Sequence, residues 1–343
     1  MHTKPTPRPL AKALPLTLAL MFAPGHGGAQ TAAYRSPDTP TGSGARPAVM
    51  EMDPGLPNHT LYHPAVLAGA RLPIVAFANG GCNNTGNRFR WFLSEIASHG
   101  YLAVAIGPIG APEAEGSMGT PPTPATMAAS RGQPAPGSPA ARNPELAYST
   151  SLKEGETRPS FTYAAQLTQA IDWAVAENAR EGSRFKGRLD TSNIAVMGQS
   201  CGGLQAIDAA HDPRVRTLVV WNSGIFPKPG RSWEMAAAHA DKADLATLHG
   251  TVLYVTGDPD DVAFPQAEDD YAHIKHLPVW RAWREHTPHT GTYREANGGE
   301  FGEVAVAWLD WRLKGDKTGA RLFEGQQCGL CTRAGWHVSR KGD

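Results

Sequence analysis

The sequence predicts an α/β fold with a mostly parallel central sheet covered by helices on both faces. Short, unbroken apolar runs alternate with segments whose apolar residues recur at helical spacing. The runs are continuously apolar rather than alternating with polar residues, which is the pattern of strands buried on both faces. Between one such run and the next helical segment lies a glycine-framed turn, Gly198-Gln199-Ser200-Cys201-Gly202.

Taken in order, PIVAFAN (73–79) reads as a strand, FRWFLSEIAS (89–98) as a helix and YLAVAI (101–106) as a strand. From 161 onward Ala164, Leu167, Ile171, Ala174 and Val175 recur at helical spacing, and NIAVMG (193–198) follows as the strand that feeds Ser200. A helix is expected to begin at Cys201. The runs RTLVVW (216–221), TVLYVT (251–256) and LPVWRAW (277–283) give three more strands. A last helix sets Val304, Ala307, Trp308 and Trp311 on one face. One stretch breaks the rhythm: residues 108–160 hold ten of the 29 prolines, with many glycines, alanines and serines. It reads as a surface insertion, or as a lid, since it follows a strand's carboxyl end, where open α/β sheets bind ligands.

The chain is long enough, at 343 residues, for one large α/β domain, and its 32 basic and 32 acidic residues balance. Neither nucleic acid nor an anionic membrane surface is indicated as a partner. Lys4, Arg8 and Lys12 precede an apolar run at 13–23 and then small residues to Ala29, which reads as a secretory signal peptide over 1–29. Its removal takes the formal charge from 0 to −3. No run is long enough to span a bilayer, so the mature protein is expected to be exported, periplasmic or extracellular, with no integral membrane segment. In that setting Cys82, Cys201, Cys328 and Cys331 can be oxidised.

The turn at Ser200 has two readings, a nucleophile elbow or a purely structural turn that favours small residues. A serine nucleophile needs a histidine to take its proton and a carboxylate to orient that histidine, expected here in the order serine, acid, histidine. Candidates stand in that order. The loop after 251–256 carries Asp258, Asp260 and Asp261, and the loop after 277–283 carries His286 and His289. His286 and His289 also have H-x-x-H spacing, but no further ligand pattern accompanies them, so no metal is expected. His99 reads as a structural histidine at a helix end.

The stretches GRLDTSNIAVMGQSCGGLQAIDAAHDPRV and LYVTGDPDDVAFP resemble the α/β-hydrolase superfamily, and within it the dienelactone-hydrolase and polyester-hydrolase branch, the latter cutinase-like and PET-hydrolase-like. The segment LYHPAVLAGARLPIVAFANGGCNN, with FLSEIASHGYLAVAI, is similar to the same branch. The likeness covers roughly 60–107 and 161–314. It implies an α/β-hydrolase catalytic domain over 30–320, with 321–343 as a C-terminal tail. Position by position, it implies Ser200 as nucleophile, Asp260 as acid, three residues after Gly257, and His289 as base; Asp258 and Asp261 become turn residues. The oxyanion donors would be the amides of Cys201 and Cys82, with Gly81 the near alternative to Cys82.

If so, both cysteine side chains meet at the mouth of the site, as a disulfide that fixes the hole or as two buried small hydrophobes. Cys328 and Cys331 are expected to close a small ring pinning the tail. Trp91 lines an acyl or alcohol pocket, or else belongs to the core. The polyester hydrolases carry a tryptophan where Gly224 stands here, and Trp221 lies three residues earlier. The implied activity is cleavage of a small-molecule or polymeric carboxylic ester through an acyl-enzyme, with no cofactor. The same triad would serve an amidase or peptidase, and the fold alone would serve a non-catalytic binding protein.

Overall fold

The computed structural model describes Met1 and residues 39–110, 162–226 and 240–342. The signal-peptide reading and all but the first three residues of the insertion lie outside the described residues.

Nine strands form one sheet: β1 (Ala48–Glu51), β2 (His59–Pro64), β3 (Leu72–Ala78), β4 (Leu102–Ile106), β5 (Leu189–Gln199), β6 (Val215–Trp221), β7 (Thr251–Thr256), β8 (Val279–Arg284) and β9 (Trp336–Lys341). Their order is β1-β2-β4-β3-β5-β6-β7-β8-β9. The central run from β4 to β8 is parallel, whereas β1 on β2, β2 on β4 and β9 on β8 are antiparallel. The sheet is therefore mostly parallel, as the apolar runs predict.

Period-two alternation sends the side chains of each strand to two separate cores. Ile74 and Ala76 of β3 and Val196 of β5 face one core, packed by α2 (Ala165–Ala179), α3 (Cys201–Ala209) and α4 (Phe264–His273). Val75 and Phe77, with Ala195 and Met197, face the other, packed by α1 (Arg90–Ser98) and α5 (Gly299–Lys314). Trp221 is wholly buried in this second core, with ring centroids 5.2 Å from Phe92 and 5.7 Å from Phe301. It is a packing residue.

Residues 321–342, expected as a C-terminal tail, join the same sheet and core as the rest of the described chain. All described residues from 39 onward belong to one unit, Tyr34–Asp343. After the short helices α6 (Lys317–Ala320) and α7 (Gly329–Thr332), β9 pairs along the whole of β8, and Trp336 is buried in the second core. Cys328, which caps the start of α7, and Cys331 within it stand at disulfide distance, Cα to Cα 4.9 Å, just before that strand.

The strand order positions the site. Sequence neighbours β4 and β5 lie on opposite sides of β3, so the chain reverses its winding there, the place where open α/β sheets bind ligands beyond the strands' carboxyl ends. The loop after β3 and the turn at Ser200 both follow those carboxyl ends.

Candidate active site

Ser200 sits between β5 and α3 with φ 54° and ψ −121°, a conformation L-residues adopt rarely and only when the surroundings impose it. The surroundings are Gly198 and Gly202. A Cβ on Gly198 would overlap the Gly202 carbonyl, and one on Gly202 would overlap the Ala78 carbonyl, so the bend closes only with glycine at both positions. Hydrogen bonds hold the turn from β6: the Ser200 N–H donates to the Trp221 carbonyl (3.0 Å) and the Ser223 hydroxyl donates to the Ser200 carbonyl (2.6 Å).

Ser200 Oγ lies 2.9 Å from His289 Nε2, and His289 Nδ1 lies 2.7 Å from Asp261 Oδ1. The carboxylate that the structure brings to His289 is thus Asp261, whereas the expected Asp260 does not reach it. The chain turns from Asp258 to Asp261, with the Asp261 N–H donating to the Asp258 carbonyl (2.8 Å) and the Asp260 N–H to Asp258 Oδ1 (3.0 Å). That turn leaves Asp260 exposed at its tip and returns Asp261, 1 % exposed, to the interior. His289 is 4 % exposed and spends both ring nitrogens on Ser200 and Asp261, while His286 is exposed, so the two histidines do not form a metal pair. His99 ends α1 with Nε2 3.0 Å from Glu95 Oε1, the structural place expected of it.

Asp261 accepts four hydrogen bonds from the described residues. Beside His289, the Ala263 N–H reaches Oδ1 (2.9 Å), and the Gly257 N–H (2.9 Å) and Asn222 Nδ2 (2.8 Å) reach Oδ2. Burial alone would raise this carboxyl, but the charge and hydrogen bond of His289 and the donors from Ala263 and Asn222 outweigh it and hold it below the ordinary aspartate range. It stays an anion that fixes His289 with a proton on Nδ1, leaving Nε2 to accept from the serine.

Two residues that sequence reasoning passed over complete the frame. Asn222 follows β6 with φ 39°, is wholly buried, and accepts from the Tyr293 hydroxyl on Oδ1 while donating to Asp261. Its only sequence signal is a polar residue at the end of an apolar strand. Gln199, beside the serine, donates from Nε2 to the His289 carbonyl (3.0 Å) and packs against Gly80.

The loop after β3 brings Cys82 to Cys201, Cα to Cα 5.3 Å and at disulfide distance. Both are buried, Cys82 with φ 48° and Cys201 at the first position of α3, where the N–H has no partner within its helix. Asn79 Nδ2 pins this loop by donating to the carbonyls of Asn83 (3.0 Å), Thr85 (3.2 Å) and Ile106 (2.8 Å).

Trp91 is half-buried on α1, with the Arg90 guanidinium 5.4 Å from its ring, and no contact among the described residues joins it to Ser200 or His289. Gly224 is walled by α4, since a Cβ there would fall 2.6 Å from the Gln266 backbone. No protein-family model matches the chain, and no curated protein matches it.

Proposed function

We propose that the chain is an exported serine hydrolase of the α/β-hydrolase fold that cleaves carboxylic esters through an acyl-enzyme. The hydrogen-bonded line from Ser200 through His289 to the buried Asp261 carries this reading. Ser200 Oγ attacks the ester carbonyl carbon while His289 Nε2 takes its proton, and Asp261 holds the imidazolium that forms. The carbonyl oxygen, now an anion, is received by the N–H groups of Cys201 and Cys82. The tetrahedral carbon collapses, His289 passes its proton to the departing alcohol, and water repeats the sequence to free the acid. Gly224 leaves no room for the tryptophan that the polyester hydrolases carry there, which favours small-molecule over polymeric esters as substrate.

The test compares the mature protein with Ser200→Ala on nitrophenyl esters of short and long acyl chains, and by labelling with a fluorophosphonate. Hydrolysis and labelling are both expected to vanish in the variant while its circular dichroism is unchanged. A folded wild type that neither labels nor hydrolyses any of these esters would overturn the reading.

A further inference from the structure

We propose that the Cys82–Cys201 pair makes this hydrolysis redox-dependent, the bridge holding the two oxyanion-binding amides in register and its reduction releasing them. The proposal rests on the esterase reading above. The bridge joins residues 119 apart in sequence, one in the loop after β3 and one in the first turn of α3 directly after the nucleophile. It therefore spans the place where the two donors must converge.

The geometry gives the bridge a specific task. The Cys82 carbonyl accepts from Thr162 Oγ1 (3.1 Å), and Thr162 is in turn bound by Gln205 of α3, whose Nε2 donates to the Thr162 carbonyl (2.9 Å). Thr162 and Gln205 are both wholly buried. One side of Cys82 is thus tied to α3 by hydrogen bonds and its side chain is tied to the same helix by sulfur. A left-handed cysteine persists only when held in this way. Bonded sulfurs stand about 2.05 Å apart, whereas unbonded heavy atoms settle at about 3.5–4.0 Å. Opening the bridge therefore demands roughly 1.5 Å more room between two buried residues. Oxyanion donors act only within about 2.7–3.1 Å of the developing charge, so the share of that separation passed to the Cys82 or Cys201 backbone takes a donor out of range.

Reduction is thiol–disulfide exchange with a dithiol. A thiolate of the dithiol attacks one protein sulfur and expels the other as thiolate, and its second thiolate then displaces the first protein sulfur. The products are two cysteine thiols and the oxidised, cyclic dithiol. The second cysteine pair is a built-in control, because Cys331 is exposed whereas Cys82 and Cys201 are both buried. Graded dithiol should open Cys328–Cys331 first.

The experiment treats the oxidised mature protein with increasing dithiothreitol and maps free thiols by alkylation and mass spectrometry. Parallel samples are assayed on a short-chain nitrophenyl ester, with circular dichroism followed throughout. Activity should survive loss of the Cys328–Cys331 bridge. It should fall about 10- to 1000-fold in kcat, with KM little changed, as Cys82 and Cys201 become free, and return on reoxidation. Cys82→Ala/Cys201→Ala should show a lowered kcat that dithiol no longer alters. Equal activity in oxidised and fully reduced folded protein overturns the proposal. So does loss of fold in both the reduced protein and the double variant, which would make the bridge a structural staple. An oxidised protein inert to every ester instead overturns the esterase reading, and this proposal falls with it.

Discussion

Asp261→Asn, set beside Asp260→Asn, separates two adjacent carboxylates by their surroundings. Asp261 Oδ1 receives the His289 and Ala263 donors, and Oδ2 receives those of Gly257 and Asn222. Asparagine keeps the shape but replaces one acceptor oxygen with a donor, so whichever way it turns, an amide hydrogen faces a donor. If it faces His289, the ring must present an unprotonated Nδ1, which leaves the proton on Nε2, and the serine then loses its base. Loss of the acid in such a triad lowers kcat by about 10⁴-fold, equivalent to roughly 5.5 kcal/mol of transition-state stabilisation. The disrupted hydrogen bonds to a charged acceptor should also destabilise the fold by about 2–3 kcal/mol. Asp260 is exposed, its side chain touches neither His289 nor Ser200, and its replacement should leave kcat within about threefold. The assay is steady-state hydrolysis of a nitrophenyl ester by both variants, with thermal unfolding alongside. If Asp261→Asn keeps a tenth of wild-type kcat while Asp260→Asn loses a thousandfold, the buried acid has been misassigned.

Asn222→Gly retains the positive φ and deletes only the side chain, stripping one donor from Asp261 and the acceptor from Tyr293. It should lower kcat about 10- to 100-fold at constant KM, and kinetics identical to wild type would show that Asn222 merely packs. Far from the site, Glu51 is wholly buried between His63 (3.0 Å) and Arg184. Burial opposes its charge, but hydrogen bonds from His63 and Arg184, together with their charges, lower its pKa from 4.5 to about 2. Because the folded value lies below the unfolded one, its contribution, of order 3 kcal/mol, is complete above pH 4.5 and is lost as pH falls from there towards 2. Calorimetry of wild type and Glu51→Gln should show the Tm advantage of the wild type shrinking over that range, and curves that stay parallel would refute the role assigned to the cluster.

The central strands and the serine turn were legible because a single local rule governs each. Unbroken apolar runs mark strands buried on both faces, and only glycine fits where backbones touch at positions 198 and 202. The outer strands obey no such rule. β2, HTLYHP, is wholly buried although half its residues are polar, because His59 Nε2 finds the Gln166 carbonyl (2.9 Å) and His63 finds Glu51, which is also bound by Arg184, 133 residues away. Partners so distant in sequence leave no local trace. β9, WHVSRK, hides for the opposite reason. It is an edge strand, exposed at three of its six positions and half-buried at two more, and is held by its pairing with β8 and by His337 stacked 3.8 Å from Trp283.

The carboxylate that meets His289 shows how the expected loop can deliver a neighbouring residue. Counting three from Gly257 treats the loop as a fixed template, but its path is set by Asp258-Pro259. Proline's fixed φ suits the second position of a β-turn, and aspartate favours the first, where its side chain caps the turn. Both conditions are met when the turn starts at Asp258, and the Asp261 N–H then closes it on the Asp258 carbonyl. The third position, Asp260, becomes the tip, and the fourth, Asp261, re-enters the structure where α4 begins. Four donors converge there, and a buried carboxylate is tolerated only where such donors exist. Turn chemistry, applied before the family spacing, selects Asp261 from the sequence. Asn222 has no equivalent route, because its fitness for the site lies in a backbone conformation and in two partners, Asp261 and Tyr293, that lie 39 and 71 residues further along the chain.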